Sequence, residues 1–142
     1  MAFLANTTHE VKQKHLLVVD DDPDVLQSYK EMLEANNYII STATNGVEAL
    51  KLVMHIDVDA IVCDLMMPTM AGDMFYIAIQ RVKPHMCKRF IFITGYEGNP
   101  RFEEFLKKEK VVVLYKPVTL GKFLGTLNVL FSRASTPAAR KA

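Results

Sequence analysis

Five short runs of this chain are continuous rather than alternating in hydrophobicity, and no other feature restricts its fold as much. They are His15 to Val19, Tyr38 to Thr42, Ala60 to Cys63, Phe90 to Ile93 and Val111 to Leu114. A strand wetted on one side alternates apolar with polar residues. An unbroken run is buried on both faces, as in a parallel sheet with helices above and below it.

Segments of helical period separate the runs. The first is expected to open at Asp22-Pro23, with proline at the first helical position and Val25, Leu26, Tyr29, Met32 and Leu33 on one face. The second opens on an Asn45 cap with Glu48 three residues on, and continues through Ala49, Leu50 and Val53. The third runs from Asp73 to Val82 and stops before Pro84. The fourth starts at Asn99-Pro100 and buries Phe102, Phe105 and Leu106, between a loop with Gly95 and Gly98 and a basic turn of Lys107, Lys108 and Lys110. The last places Leu120, Phe123, Leu124, Leu127, Leu130 and Phe131 at steps of three and four. Strand and helix thus alternate five times, and right-handed crossovers turn that order into an open, doubly wound α/β sheet.

A chain of 142 residues with half its positions apolar supports one well-buried core. Residues 15–132 are expected to form the domain, 1–14 an N-terminal extension and 133–142 a disordered tail, small, polar and basic. Seventeen basic against sixteen acidic groups leave a net charge of +1, too little to concentrate nucleic acid or anionic lipid. No direct nucleic-acid or membrane partner is expected. Cys63 and Cys87 lack the spacing of a zinc site or a disulfide framework. Without a signal peptide or a spanning segment of ~18 apolar residues, the reading is a cytoplasmic protein with reduced thiols.

Ligands of such sheets bind at the carboxyl ends of the strands. There the sequence puts Asp20, Asp21 and Asp22 after the first run, Asp64 after the third, Thr94 after the fourth and Lys116 after the fifth. Converging carboxylates repel one another unless a hard cation neutralises them, and Mg²⁺ with its oxygen ligands suits that purpose. A carboxylate beside such an ion stays ionised and can attack phosphorus, while a lysine and a hydroxyl take up the transferred oxygens. Singly, each residue has an ordinary explanation: a helix cap, a strand end, a loop hydroxyl, a solvated charge. Together, four strand ends with complementary chemistry point to phosphoryl transfer.

The segments LLVVDDDPDVL, IVCDLMMPTMAGDMF, FIFITG and VVVLYKP resemble, in the same order, the motifs of response-regulator receiver domains of the chemotaxis-regulator-like type, over residues 15 to 132. The resemblance implies a flavodoxin-like sheet of strand order 2-1-3-4-5. It implies a two-component phosphorelay switch with Asp64 as phosphoacceptor, catalysing only its own aspartyl phosphorylation and dephosphorylation. Asp21, Asp64 and the backbone carbonyl of Met66 would hold Mg²⁺, with Asp20 acting through water and Asp22 as an accessory acid. Thr94 and Lys116 would each take a phosphoryl oxygen. Pro68 and Gly72 match the turn after the acceptor, and Lys116-Pro117 matches a peptide bond that is cis in this family. The implied partners are a histidine kinase or histidine phosphotransfer protein, a downstream protein or effector domain on the face of helix 4, strand 5 and helix 5, and a second copy in a homodimer.

Several positions depart from the commoner pattern. An aromatic ring often stands three residues before the lysine, but here that residue is Val113, with Tyr115 on the same strand face as a candidate substitute. Met66 and Tyr96, two residues after the acceptor and the threonine, are bulky and are expected to slow hydrolysis of the acyl phosphate, while Gly95 leaves room for a donor. Gly121 and Gly125 each weaken the last helix by roughly 1 kcal/mol relative to Ala and, with Asn128 and Ser132, form a strip of small residues. Met66, Met67, Met70 and Met74 read as part core and part adaptable surface. Two other readings exist. Asp20-x-Asp22 with FIFIT resembles the motifs of haloacid-dehalogenase-type phosphohydrolases, but Asp24 stands where Thr or Val is usual and no Asp follows Asp73. A degenerate receiver serving only as an interaction module conflicts with the presence of Asp20, Asp21, Asp64, Thr94 and Lys116 together.

Overall fold

The computed structural model describes residues 12–95 and 100–135. In chain order the strands are β1 (His15–Val19), β2 (Ile39–Ala43), β3 (Ala60–Asp64), β4 (Phe90–Thr94) and β5 (Val112–Tyr115). The helices are α1 (Pro23–Glu34), α2 (Gly46–His55), α3 (Gly72–Val82), α4 (Pro100–Glu109) and α5 (Leu120–Ser135). A 3-10 helix, Pro84–Arg89, lies between α3 and β4. All strand pairings are parallel, in the order β2-β1-β3-β4-β5, as expected for the doubly wound, flavodoxin-like sheet.

Because successive residues of a strand point to opposite faces, each run feeds two cores. Leu17, Val19, Ile61, Cys63, Phe90 and Phe92 pack on one side with residues of α2, α3 and the start of α4. Leu16, Val18, Ala60, Val62, Ile91 and Ile93 pack on the other with α1 and α5. The first core is aromatic: Tyr76 meets Phe90 at 5.0 Å and Phe105 at 5.3 Å, edge-on in both cases. The second is mainly aliphatic, with Tyr29 edge-on to Phe123 at 5.5 Å. Each fully buried side chain of this size contributes about 1.5–3 kcal/mol relative to exposure, which is why runs with no polar residue hold the centre of the sheet.

Both early helix starts carry the expected caps. The Asp22 carboxylate accepts from the N–H of Asp24 (2.9 Å) and Val25 (3.4 Å), and Asn45 accepts from the N–H of Glu48 at 2.8 Å. The Asn99 cap lies outside the described residues.

The strands differ from expectation at their ends. β3 and β4 each include one more residue, Asp64 and Thr94, and β2 and β5 are shifted one residue forward. Hydropathy marks where a run stops being apolar, but the ladder continues through the polar residue, with Leu65 N donating to Ile93 O (3.2 Å) and Lys116 N to Thr94 O (2.9 Å). α3 begins at Gly72, one residue early. Leu120, expected on the apolar face of α5, is exposed, while Phe105 and Leu106 are only partly buried. α5 runs through Ser135, and the chain beyond it lies outside the described residues.

Candidate functional site

β1 is the switch point of the winding: its neighbours are β2 on one side and β3 on the other, and α1 and α2 lie on opposite faces. Connections that diverge in this way open a crevice at the carboxyl ends of the strands. Asp20, Asp21 and Asp64 meet there, each offering a carboxylate oxygen, all within 4.8 Å of one another. Asp20 and Asp64 are buried, at 2% and 7% exposure, and Asp21 is exposed. The Lys116 ammonium lies 3.2 Å from Asp64 Oδ2 and 3.6 Å from Asp20 Oδ2.

Backbone donors orient the two buried carboxylates. Asp22 N donates to Asp20 Oδ1 at 2.9 Å, and Met66 N donates to Asp64 Oδ1 at 3.2 Å. Burial pushes the Asp20 carboxyl above its ordinary range; the N–H of Asp22 and Lys116 pull it back only in part. Asp64 is also raised, by burial first, against the pull of Lys116 and with the push of Asp20. Burial lowers the affinity of Lys116 for its proton, but Asp64 and Asp20 together outweigh it, so the ammonium is held above its usual value. One ammonium is shared by two carboxylates, so it gains from both and fully compensates neither.

Thr94 is buried at 1% exposure, one residue beyond Ile93, the register partner of Asp64. Its carbonyl binds Lys116 N, so the hydroxyl-bearing and amine-bearing residues are fixed to each other through the β4–β5 ladder. The Lys116-Pro117 bond is cis. Among the described residues, a side chain built on Gly95 would meet nothing within 4 Å; Tyr96 lies outside them.

The loop after β3 is tightly built. Met70 N donates to Pro68 O at 2.7 Å around Thr69, whose φ is 70°: a three-residue turn in a rare, strained conformation for a β-branched residue. A Cβ on Gly72 would lie 2.6 Å from Asp64 O and 2.9 Å from the Leu65 Cα, so only glycine lets α3 start this close to the acidic strand end. Gly46 faces the same loop from the other side, where a Cβ would meet the Met70 backbone oxygen at 2.8 Å.

The chain matches the family model of the response regulator receiver domain over residues 16–128. It belongs to that family. The receiver is 34% identical over 107 residues to the transcriptional regulatory protein GlrR of Escherichia coli, covering 75% of this chain and 24% of that protein. It is 27% identical over 120 residues to the sensor kinase CckA of Brucella abortus, covering 83% of this chain and 12% of that one. The receiver thus spans about a quarter of the first relative and less of the second. Among solved structures, it superposes on a Francisella response regulator receiver domain with a TM-score of 0.76 at 27% identity, covering 87% of this chain and 100% of the other. It superposes on a CheY-like receiver domain protein of Methanospirillum hungatei with a TM-score of 0.78 at 25% identity, covering 87% and 98%.

Of the residues expected at the site, the receiver brings Asp20, Asp21, Asp64 and Lys116 together, with Thr94 beside them. Asp22 stands outside the set, its carboxylate engaged in capping α1. Tyr115 is exposed, while Val113 packs against the aromatic core. Two features had no signal in the sequence. Arg101 at the start of α4 is paired with Asp73 at the start of α3, 3.2 Å apart and remote in sequence. The Thr69 turn carries none of the glycine or asparagine that usually marks a positive φ. Among the described residues, no helix is long and apolar enough to cross a membrane.

Proposed function

We propose that this receiver is a phosphorelay switch in which Asp64 takes a phosphoryl group from a phosphohistidine. The observation that carries the reading is the pairing of Asp64 with Lys116 beside two further carboxylates. A phosphohistidine P–N bond breaks as a P–O bond forms to an Asp64 oxygen, and the departing imidazole nitrogen is left to take up a proton. Lys116 meets the charge that develops on the phosphoryl oxygens, and Thr94 donates a hydrogen bond to one of them.

The donor set fits Mg²⁺. It is all oxygen, and three carboxylates face one ammonium, leaving an excess of negative charge for a divalent ion to balance. Asp21, Asp64 and the Met66 carbonyl would hold it, with Asp20 through water. When bound, the ion supplies charge neutralisation for the incoming phosphoryl group. Asp21, being exposed, is the carboxylate most open to it.

The donor would be a histidine kinase or histidine phosphotransfer protein, and the output a shift in the loops after β3 and β4, read by a downstream protein or effector domain on the α4, β5, α5 face or by a second copy of the chain. Cycles of its own phosphorylation and dephosphorylation would be its only chemistry, in the cytoplasm. Asp22, needed by the phosphohydrolase reading, is committed to its cap.

Incubation with acetyl phosphate or a phosphorylated histidine phosphotransfer domain in Mg²⁺, followed by intact mass measurement, tests this. The native chain should gain one acid-stable, base-labile phosphoryl group and Asp64→Asn none; label retained by the variant would overturn the assignment. With Met66 exposed at 40% beside the acceptor, the label should decay over minutes or longer; decay within seconds would remove the shielding role of that side chain.

A further inference from the structure

The amino ends of β4 and β5, opposite the acidic crevice, border a cavity of about 450 Å³. Its charged lining is of one sign: Lys88 and Arg89 from the 3-10 helix, Lys110 from the turn before β5, and His85 as a titratable neighbour. Among the described residues no acidic side chain lines it. Lys88, Arg89 and Lys110 form no ion pair among those residues, so no carboxylate offsets their charge at the cavity. Arg89 is nonetheless fixed: its Nη1 donates to the Asp59 carbonyl at 3.1 Å, which holds the guanidinium at the rim. Lys110 sits at φ 55°, in the left-handed position that ends α4, where glycine is the ordinary choice. Behind the charges the wall is apolar, from Phe90, Val111, Val112 and Leu130.

We propose that this cavity is a binding site for an organic phosphate of nucleotide size. Its volume lies in the range of small-molecule sites, and such sites combine an apolar wall with a few placed polar groups. Arginine and lysine bind phosphate through charge-assisted hydrogen bonds, and the wall accepts the organic portion. The site is separate from the acidic crevice: the two lie at opposite ends of β4, about 13 Å apart at 3.3 Å per residue.

The probe is ADP, titrated into the ¹⁵N-labelled full chain in EDTA, with pyrophosphate in parallel. ADP should shift the amides of residues 85–90 and 110–112 and bind more tightly than pyrophosphate. Lys88→Ala combined with Lys110→Ala should weaken ADP about tenfold or more, while Lys51→Ala should leave it unchanged. Circular dichroism on the double variant checks that it is folded. Absence of shifts at millimolar ADP, shifts confined to residues 20, 21, 64 and 94, or equal affinity for the native chain and the double variant would each overturn the site. Equal binding of pyrophosphate and ADP would overturn the organic-phosphate assignment.

Discussion

The two ends of this parallel sheet are built on opposite electrostatic terms. At the carboxyl ends, Asp20 and Asp64 are buried and share one ammonium, with Asp21 adding a third carboxylate at the rim. At the amino ends, Lys88 and Lys110 are exposed and Arg89 is half-buried on the Asp59 carbonyl, and among the described residues none of the three has a carboxylate partner. Unbalanced charge is expensive only where water is excluded. The acidic end therefore carries destabilisation in the absence of a cation, and the basic end carries almost none.

The largest effect should come from removing the shared ammonium. Lys116→Met leaves two buried carboxylates without their counter-ion, and in EDTA at pH 7 it should lower unfolding free energy by about 2–3 kcal/mol, measured by urea titration. An unchanged midpoint would mean that the carboxylates are better hydrated than their burial indicates. Next, Asp20→Asn should stabilise the chain in EDTA by about 1 kcal/mol, since it removes the repulsion and keeps a polar group for the Asp22 N–H; Mg²⁺ should stabilise the native chain more than this variant.

The same asymmetry has a pH signature. Asp20 and Asp64 hold their protons more tightly when folded than the ordinary carboxylate value of 3.8. Their contribution to stability is then fully present below that value and is lost as pH rises through their raised folded values. In EDTA, thermal unfolding between pH 4 and 7 should show Asp20→Asn losing less stability with rising pH than the native chain. The smallest effect belongs to the other end: Lys88→Ala should change stability by no more than about 0.5 kcal/mol, and a larger loss would break the contrast.

Much of this architecture was legible in the sequence. The runs specified the sheet because burial on both faces leaves little room for polar residues in β1, β3 and β4, whereas the edge strands β2, with Ser41 and Thr42, and β5 are only partly buried. The strand-end positions of Asp20, Asp64, Thr94 and Lys116 specified the site because a parallel sheet gathers its carboxyl ends. What stayed hidden depends on geometry that no pattern encodes. Hydropathy stopped β3 and β4 one residue short because ladder hydrogen bonds do not depend on whether a side chain is apolar. The 3-10 helix was missed because a short segment with His85, Lys88 and Arg89 has no amphipathic period. The Arg101–Asp73 pair follows from α4 lying against α3, and the Thr69 turn from how closely α3 approaches the acidic strand end.

Lys116 is attached at both of its ends. Its peptide nitrogen closes the last rung between β4 and β5, while its side chain crosses β4 to reach the carboxylate on β3. Any new demand on that ammonium pulls against a fixed rung, so the load falls on the segments that follow the strands rather than on the ladder itself. In the proposed switch the strands would act as an anvil, and any motion that answers a phosphoryl group would be confined to what is hammered against it.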